Sequence, residues 1–446
     1  MDWYEIELFF IALNSLICFC ALILTTKHEG LSIRSYALAL FIVFYVLVPA
    51  TLIYLGPASI HSNNFRHVFL IALHYPINAF VTVALISFLF GAFFPSQHIL
   101  DLRLKQAADY LIAPRHILYT LVAVSFVSLI FFIKPFANFE DAVFFTKLMR
   151  QGIFKEIWDG NDDFLFFKRF IFLSLIPVLF GSYFSKNQLD RVFLIYFPLA
   201  YLLIFLLFLN HGRMAVINLA LIFLFTKFLN ERHLGKITSI LAIFVFTPFL
   251  ILFLLTSLEI VFSYNASINT FSVFTSIDHL KLLNKFIEEF ATPYLSIANA
   301  LNTDKEPFFF IDFLYGLSGN IFPVNPDWTA QEVNFHNSLL FNTTGGSYPP
   351  GMIAFGMYNL PFVGGVLFSL FVGRICYHLQ QIGISAGKIS PQLTTFYAFL
   401  ITTTFVLIRT TSPRYYFYDP VNISLIIFLF LSFKILFVRR ARLKQF

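Results

Sequence analysis

The chain has 446 residues, of which 58% are hydrophobic and only 12% charged, with 63 phenylalanines and a formal net charge of +6. Soluble domains average about a quarter charged residues, so there is too little polar surface here to coat two or three water-soluble domains. The composition excludes a disulfide-rich secreted scaffold, a disordered chain and a soluble nucleic-acid binder; with a mean hydropathy of +0.78 it predicts an all-α membrane protein of many passes.

In chain order, Asp2, Glu5 and Glu7 stand where a cleavable signal would carry lysine or arginine, and the apolar run behind them is long enough to span, so no cleavable signal is expected. Apolar runs of membrane-spanning length predict eleven helices, at about 6–26, 36–56, 68–94, 117–134, 170–185, 192–209, 213–230, 237–261, 350–376, 393–412 and 420–438. Pro49, Pro76, Pro248 and Pro361 fall inside spans, where neighbouring helices can satisfy the freed backbone groups. Cys18, Cys20 and Cys376 lie in apolar stretches and suggest neither a disulfide nor a metal site.

The charges order these spans by side. The C-terminus carries Arg439, Arg440, Arg442 and Lys444. Placing it inside puts Lys27, Arg34, Arg103, Lys105, Arg115, Lys186, Arg191, Arg232, Lys236 and Lys388 in inside loops, and leaves Arg66, Arg213, Arg409 and Arg414 on short outside turns. This is a positive-inside pattern. It predicts an outside N-terminus and an inside C-terminus, and it makes the net charge a topology signal rather than evidence for a nucleic-acid partner.

Within a single membrane domain over 1–446, two outside segments exceed ordinary connections. In 136–169, Ala142, Phe145, Met149, Ile153 and Ile157 recur at helical spacing, which predicts a surface-lying amphipathic helix. The second, 263–349, carries eight acids and three lysines. It predicts a helix over 276–301, followed after Pro307 by an irregular Gly/Pro-rich lining, and loops of this size are usually functional.

Soluble catalytic motifs are absent: no phosphate loop, dinucleotide fingerprint, zincin helix or nucleophile elbow occurs. Asp159-Gly-Asn-Asp-Asp163 misses calcium-loop spacing. Attention falls instead on arginines at the outer membrane margin, where charge is costly and guanidinium matches phosphate oxygens with paired hydrogen bonds. Arg213 and Arg409 are the main candidates, with Arg414 and His211 as further phosphate contacts. His336, in Asn334-Phe-His-Asn-Ser-Leu-Leu, is a candidate general base, with Glu332 one turn earlier as an orienting or substitute group. Asn337 is a candidate positioning group, and Trp328, Tyr348 and Tyr358 are candidates to stack on sugar rings. Each has a plainer structural alternative: interfacial anchoring for the arginines and aromatics, a backbone-bonded loop histidine for His336. Asn265, Asn342 and Asn422 open N-x-Ser/Thr strings, which matter only in a glycosylating pathway.

This layout resembles the Wzy-type O-antigen polymerases. The resemblance rests on three features: two enlarged outside loops, Gly212-Arg213 opening a mid-chain span, and the string from Gly345 to Gly365 with its Pro349-Pro350-Gly351 entry into a late helix. His336-Asn337-Ser-Leu-Leu is also similar to the His-Asn-x-x-Leu string of the related O-antigen ligases. The chain departs from the pattern in having no arginine in its second large loop. The resemblance implies a GT-C-like helical bundle with two large periplasmic loops in a bacterial inner membrane, N-terminus periplasmic and C-terminus cytoplasmic. It also implies inverting, metal-independent transfer of glycan between undecaprenyl-diphosphate carriers, without a cofactor, alongside a chain-length regulator and a flippase as partners. In that chemistry Arg213 and Arg409 stabilise the leaving diphosphate and His336 takes the acceptor proton. The rival readings are a ligase that transfers polymer to lipid A core and a transporter or flippase of lipid-linked sugars. The latter predicts charges deep within spans and matched halves.

Overall fold

The computed structural model describes residues 3–56, 60, 63–95, 115–134, 170–172, 203, 213–230, 279–303, 307–311, 313, 333, 336–338, 341, 348–387 and 391–411. Among the described residues every regular element is helical: α1 (Trp3–Glu29), α2 (Ile33–Ile42), a π-helical segment (Val43–Leu47), α3 (Val48–Leu55), α4 (Asn63–Ala72), α5 (Ile77–Phe93), α6 (Arg115–Ile133), α7 (Arg213–Asn230), α8 (His279–Leu301), α9 (Gly351–Asn359), α10 (Val363–Gly387) and α11 (Pro391–Arg409). Among the described residues three helical stretches are long and apolar enough to cross a membrane: Glu5–Glu29, Ile33–Leu55 and Val363–Gly383. A fourth follows if the bent pair α4–α5 is one span.

Two of the expected spans are corrected. The run 68–94 is not one helix, because the chain bends by 83° between Phe65–Ala72 and Ile77–Phe93. Pro76 pushes the preceding residue away from helical geometry, and Tyr75 instead closes a tight turn onto the carbonyl of Ala72. The run 350–376 is likewise divided into α9 and α10. Leu360, before Pro361, is extended, and Phe362 has a left-handed backbone with φ 56°. The expected helix at 276–301 is present as α8. The expected surface helix in 136–169 lies outside the described residues, as do the spans at 170–185, 192–209, 237–261 and 420–438 apart from 170–172 and 203.

The chain divides into two units: Met1–His98, Glu231–Ile382 and Phe399–Tyr415 form the first, and Ile99–Asn230, Gly383–Ala398 and Tyr416–Phe446 the second. In the first unit, α1 buries Glu7, Ile11, Asn14, Cys18, Leu22 and Thr25, a single stripe at three- and four-residue spacing. Its other faces present Phe9, Leu16, Ile23 and Leu24, all exposed, as on a helix that meets lipid. At its start Glu7 bonds Asn78 of α5. Just beyond its end, Arg34 pairs with Glu29 and donates to the carbonyl of Ala92 at 3.3 Å, so α1 and α5 run in the same direction. Helix α10 follows them: Gly365 lies against Phe80 near the start of α5, and Gly373 against Phe88 near its end. A Cβ at Gly91 or Gly373 would collide with the backbone of the facing helix. Small residues at such crossings let helices approach closely enough for dense packing where lipid supplies no hydrophobic drive.

The centre of the first unit is made by α8 and α9. All residues from Phe290 to Asn299 are buried, and so are all nine of α9. Helix α8 packs on α9, α4 and α3, and Phe44 of the π-helical segment joins it to α11 through Phe290 and Phe405, at 5.6 and 5.9 Å between ring centroids. Gly351, at φ 75°, opens α9 where a Cβ would strike Pro293 and the Tyr45 hydroxyl. The C-terminal half of this helix, drawn from a segment rich in acids, is thus interior.

In the second unit, α6 buries Leu121, Ser125, Ser128, Leu129 and Phe132 along one stripe, and Ser125 donates to the carbonyl of Phe170 at 3.4 Å. Helix α7 buries Leu219, Ile222, Phe225 and Thr226.

Candidate functional site

The end of α8 carries Ser296, Asn299 and, just past its last turn, Thr303, spaced three and four residues apart on one face. The short helical segment 336–338 docks on that face. Asn337 spends its whole amide there: Nδ2 donates to Ser296 Oγ and to the Tyr348 carbonyl, each at 2.9 Å, and Oδ1 accepts from the Tyr358 hydroxyl at 3.0 Å and from Asn299 Nδ2 at 3.5 Å. Ser338 Oγ accepts from the Tyr348 N–H at 2.7 Å. A buried amide with both N–H groups and both lone pairs engaged fixes its neighbours, since breaking any one bond leaves a polar group unpaired away from water.

His336 is held by this clamp. It is 7% exposed, its Nε2 lies 3.1 Å from Thr303 Oγ1, and its ring stands edge-on to Tyr358 at 5.8 Å between centroids. Phe308 is 6.5 Å away on another side. Thr303, Tyr358 and Phe308 also line a cavity of about 170 Å³, together with Leu301, Met357 and Phe362. The wall is mixed in polarity, and two of its residues, Thr303 and Tyr358, also contact His336. The volume is below the roughly 300–1,000 Å³ of sites that enclose drug-sized molecules, and it suits one ring-sized group.

The cavity exists because the chain after Pro307 caps α9. The Phe308 and Phe309 N–H groups each donate to the last carbonyls of α9, on Tyr358 and Asn359, at 3.1 Å, and the Phe310 N–H donates to Asn359 Oδ1 at 2.5 Å. This satisfies carbonyls that a helix end leaves orphaned. Phe309 and Phe310 sit there at φ 48° and 60°, and Phe362, which lines the cavity, holds left-handed backbone as well. Such strain persists only where surrounding structure enforces it, and it clusters at functional sites.

The other expected residues divide as follows. Tyr348 is not turned to the cavity; its ring is packed between Phe65 and Phe341, at 5.7 and 5.3 Å. Arg409 ends α11 in the first unit, 8% exposed, with its guanidinium 5.6 Å from the ring of Phe405. Arg213 opens α7 in the second unit. His211, Glu332, Arg414 and Trp328 lie outside the described residues. The structure therefore joins His336 with Asn337 and adds Ser296, Asn299, Thr303 and Tyr358. Of these only Tyr358 stood out in the sequence. The signal for the others was a row of small polar residues, at helical spacing, in the half of α8 that carries no charge.

No family model, no curated protein and no solved structure matches this chain.

Chemically, the arrangement offers an imidazole whose Nε2 reaches the cavity through a hydroxyl. In the tautomer that leaves Nε2 unprotonated, a group bound against Thr303 can pass a proton to the threonine oxygen while the threonine proton moves to Nε2. The Tyr358 ring, held by Asn337, stands edge-on to the imidazole.

Proposed function

We propose that this chain is a membrane glycosyltransferase of the O-antigen polymerase type, which joins oligosaccharide repeat units carried on undecaprenyl diphosphate by inverting transfer at the periplasmic face. The observation that carries the reading is the His336–Thr303 pair, whose threonine lines a ring-sized cavity. An acceptor sugar hydroxyl in that cavity loses its proton through Thr303 to His336, a step general bases accelerate about 10²–10⁴-fold. The proposal includes the eleven-span, GT-C-like topology with two large periplasmic loops, in a bacterial inner membrane, with the N-terminus periplasmic and the C-terminus cytoplasmic. Arg213 and Arg409 are assigned to the leaving diphosphate, each supplying fixed positive charge where negative charge develops. Support for Arg409 is its burial at a helix end, where an arginine is expensive to keep without a role. Asn337 acts by positioning His336 and Tyr358 rather than by touching substrate.

The His336-Asn337 string also favours an O-antigen ligase. Gene deletion separates the readings on a gel of surface polysaccharide. Loss of a polymerase leaves core bearing one repeat unit. Loss of a ligase leaves bare core and accumulated lipid-linked polymer, and loss of a flippase leaves no outward lipid-linked product. Complementation with Arg213→Ala, Arg409→Ala and His336→Ala then tests the residues: long chains from all three variants at normal protein levels sink the site assignment.

A further inference from the structure

The stripe that α1 buries includes one carboxylate and one amide, Glu7 and Asn14, which are 6% and 0% exposed. Both meet Asn78, itself fully buried, at the N-terminus of α5. Glu7 Oε2 accepts from the Asn78 N–H at 3.2 Å and from Asn78 Nδ2, so one carboxylate oxygen caps α5. Asn14 Nδ2 donates to the Asn78 carbonyl at 3.2 Å. Tyr294 of α8 closes the cluster, its hydroxyl 3.1 Å from Asn78 Nδ2. Burial, with the Glu7 carboxylate close by, pushes the Tyr294 phenol above its ordinary range, so it enters as a neutral group.

Three oxygens of this cluster are left without a donor. Among the described residues no hydrogen-bond donor reaches Glu7 Oε1, Asn14 Oδ1 or Asn78 Oδ1. The single ion pair among those residues is Arg34–Glu29, at the other end of α1, so no basic side chain there neutralises Glu7. A buried carboxylate without a counter-charge is among the most costly arrangements in a protein interior, and an ionisable group inside a membrane bundle marks an ion or proton site by default. The surplus consists only of hard oxygen donors with one negative charge. Calcium and magnesium sites draw on more carboxylates or on waters and phosphates, whereas one carboxylate balances one positive charge.

We propose that Glu7, Asn14 and Asn78 bind a monovalent cation of the sodium type, which ties α1 to α5 in the interior of the first unit. Tyr294 lies on its rim, two residues before Ser296, so the ion stabilises the same helix that carries the Asn337 clamp.

The test is thermal unfolding of the full-length protein in lipid nanodiscs, titrated with sodium chloride against choline chloride at constant ionic strength. Sodium is expected to raise the midpoint by about 3 °C or more with saturation, and Glu7→Gln to abolish that rise. Equal midpoints in the two salts overturn the site, and if stability then falls as pH rises, Glu7 carries a proton instead. A sodium rise that survives in Glu7→Gln overturns it too. Should Glu7→Gln not fold, Asn14→Ala, which keeps the carboxylate and its cap, is read in the same titration. A tenfold or greater increase in the sodium concentration needed supports the site; an unchanged requirement overturns it.

Discussion

His336 Nε2 and Thr303 Oγ1 lie 3.1 Å apart, and of the two only the threonine faces the cavity. That order fixes what each substitution does if protons leave by this route. Thr303→Val keeps the shape and removes the hydroxyl, so it is expected to lower chain extension about as much as His336→Ala, by roughly 10²-fold or more. Thr303→Ser keeps the relay and retains most of the activity. The measurement is transfer between lipid-linked repeat units with purified protein. Full activity in Thr303→Val rules the relay out.

Asn337 has no capacity left for a substrate, so its variants are expected to fail through stability. Asn337→Ala strands the Tyr358 hydroxyl, the Tyr348 carbonyl and the Ser296 hydroxyl, and is expected to cost roughly 2–4 kcal/mol. Tyr358→Phe removes one partner only and costs about 1 kcal/mol. Denaturation midpoints of the two variants check the ranking. Equal, negligible effects show that the clamp contributes little.

Helix positions were readable in the sequence, because apolar runs of this length leave few other options: α1, α6, α7 and α11 begin and end within a few residues of the expected spans. Helix faces were not. Between Leu8 and Leu24 of α1 only Asn14 and Ser15 are polar, so hydrophobic periodicity carries no direction there, and the interior stripe is marked instead by Glu7, Asn14 and Thr25. The same inversion holds for Ser125 and Ser128 on α6. The breaks at Pro76 and Pro361 were visible as prolines but not as breaks, since a proline inside a membrane helix is often accommodated. His336 and Asn337 were singled out in the sequence and lie in one buried cluster, yet their partners on α8 were hidden. The charged residues Glu288 and Glu289 gave no sign that the next ten residues of that helix are buried on every side.

Two glycines with different surroundings separate packing from backbone freedom. Gly373 faces the carbonyl of Phe88, with the Ala92 nitrogen 3.0 Å from where a Cβ would stand. Gly373→Ala is therefore expected to cost roughly 2–4 kcal/mol despite alanine's better helix propensity, as α5 and α10 are forced apart. Gly56 ends α3 at φ 71° and ψ 171° with nothing within 4 Å of an added Cβ, so Gly56→Ala meets no clash and pays only for a backbone region that is essentially glycine's own, about 1–3 kcal/mol. Unfolding midpoints measure both. A mild Gly373→Ala would mean that the two helices do not depend on this close approach.

Phe362 lines the cavity with φ 56° and is 60% exposed. Little burial is lost if it becomes glycine, while left-handed strain of about 1–3 kcal/mol is released, against roughly 0.5–1 kcal/mol for glycine's greater chain entropy. Phe362→Gly is thus expected to leave the midpoint unchanged or higher. The same change removes one wall of the pocket, so transfer activity is expected to drop severalfold with KM rising more than kcat falls, since binding rather than proton transfer is touched. If the variant loses stability as a buried phenylalanine would, by roughly 3–5 kcal/mol, the ring is a structural plug and the strain has a packing origin instead.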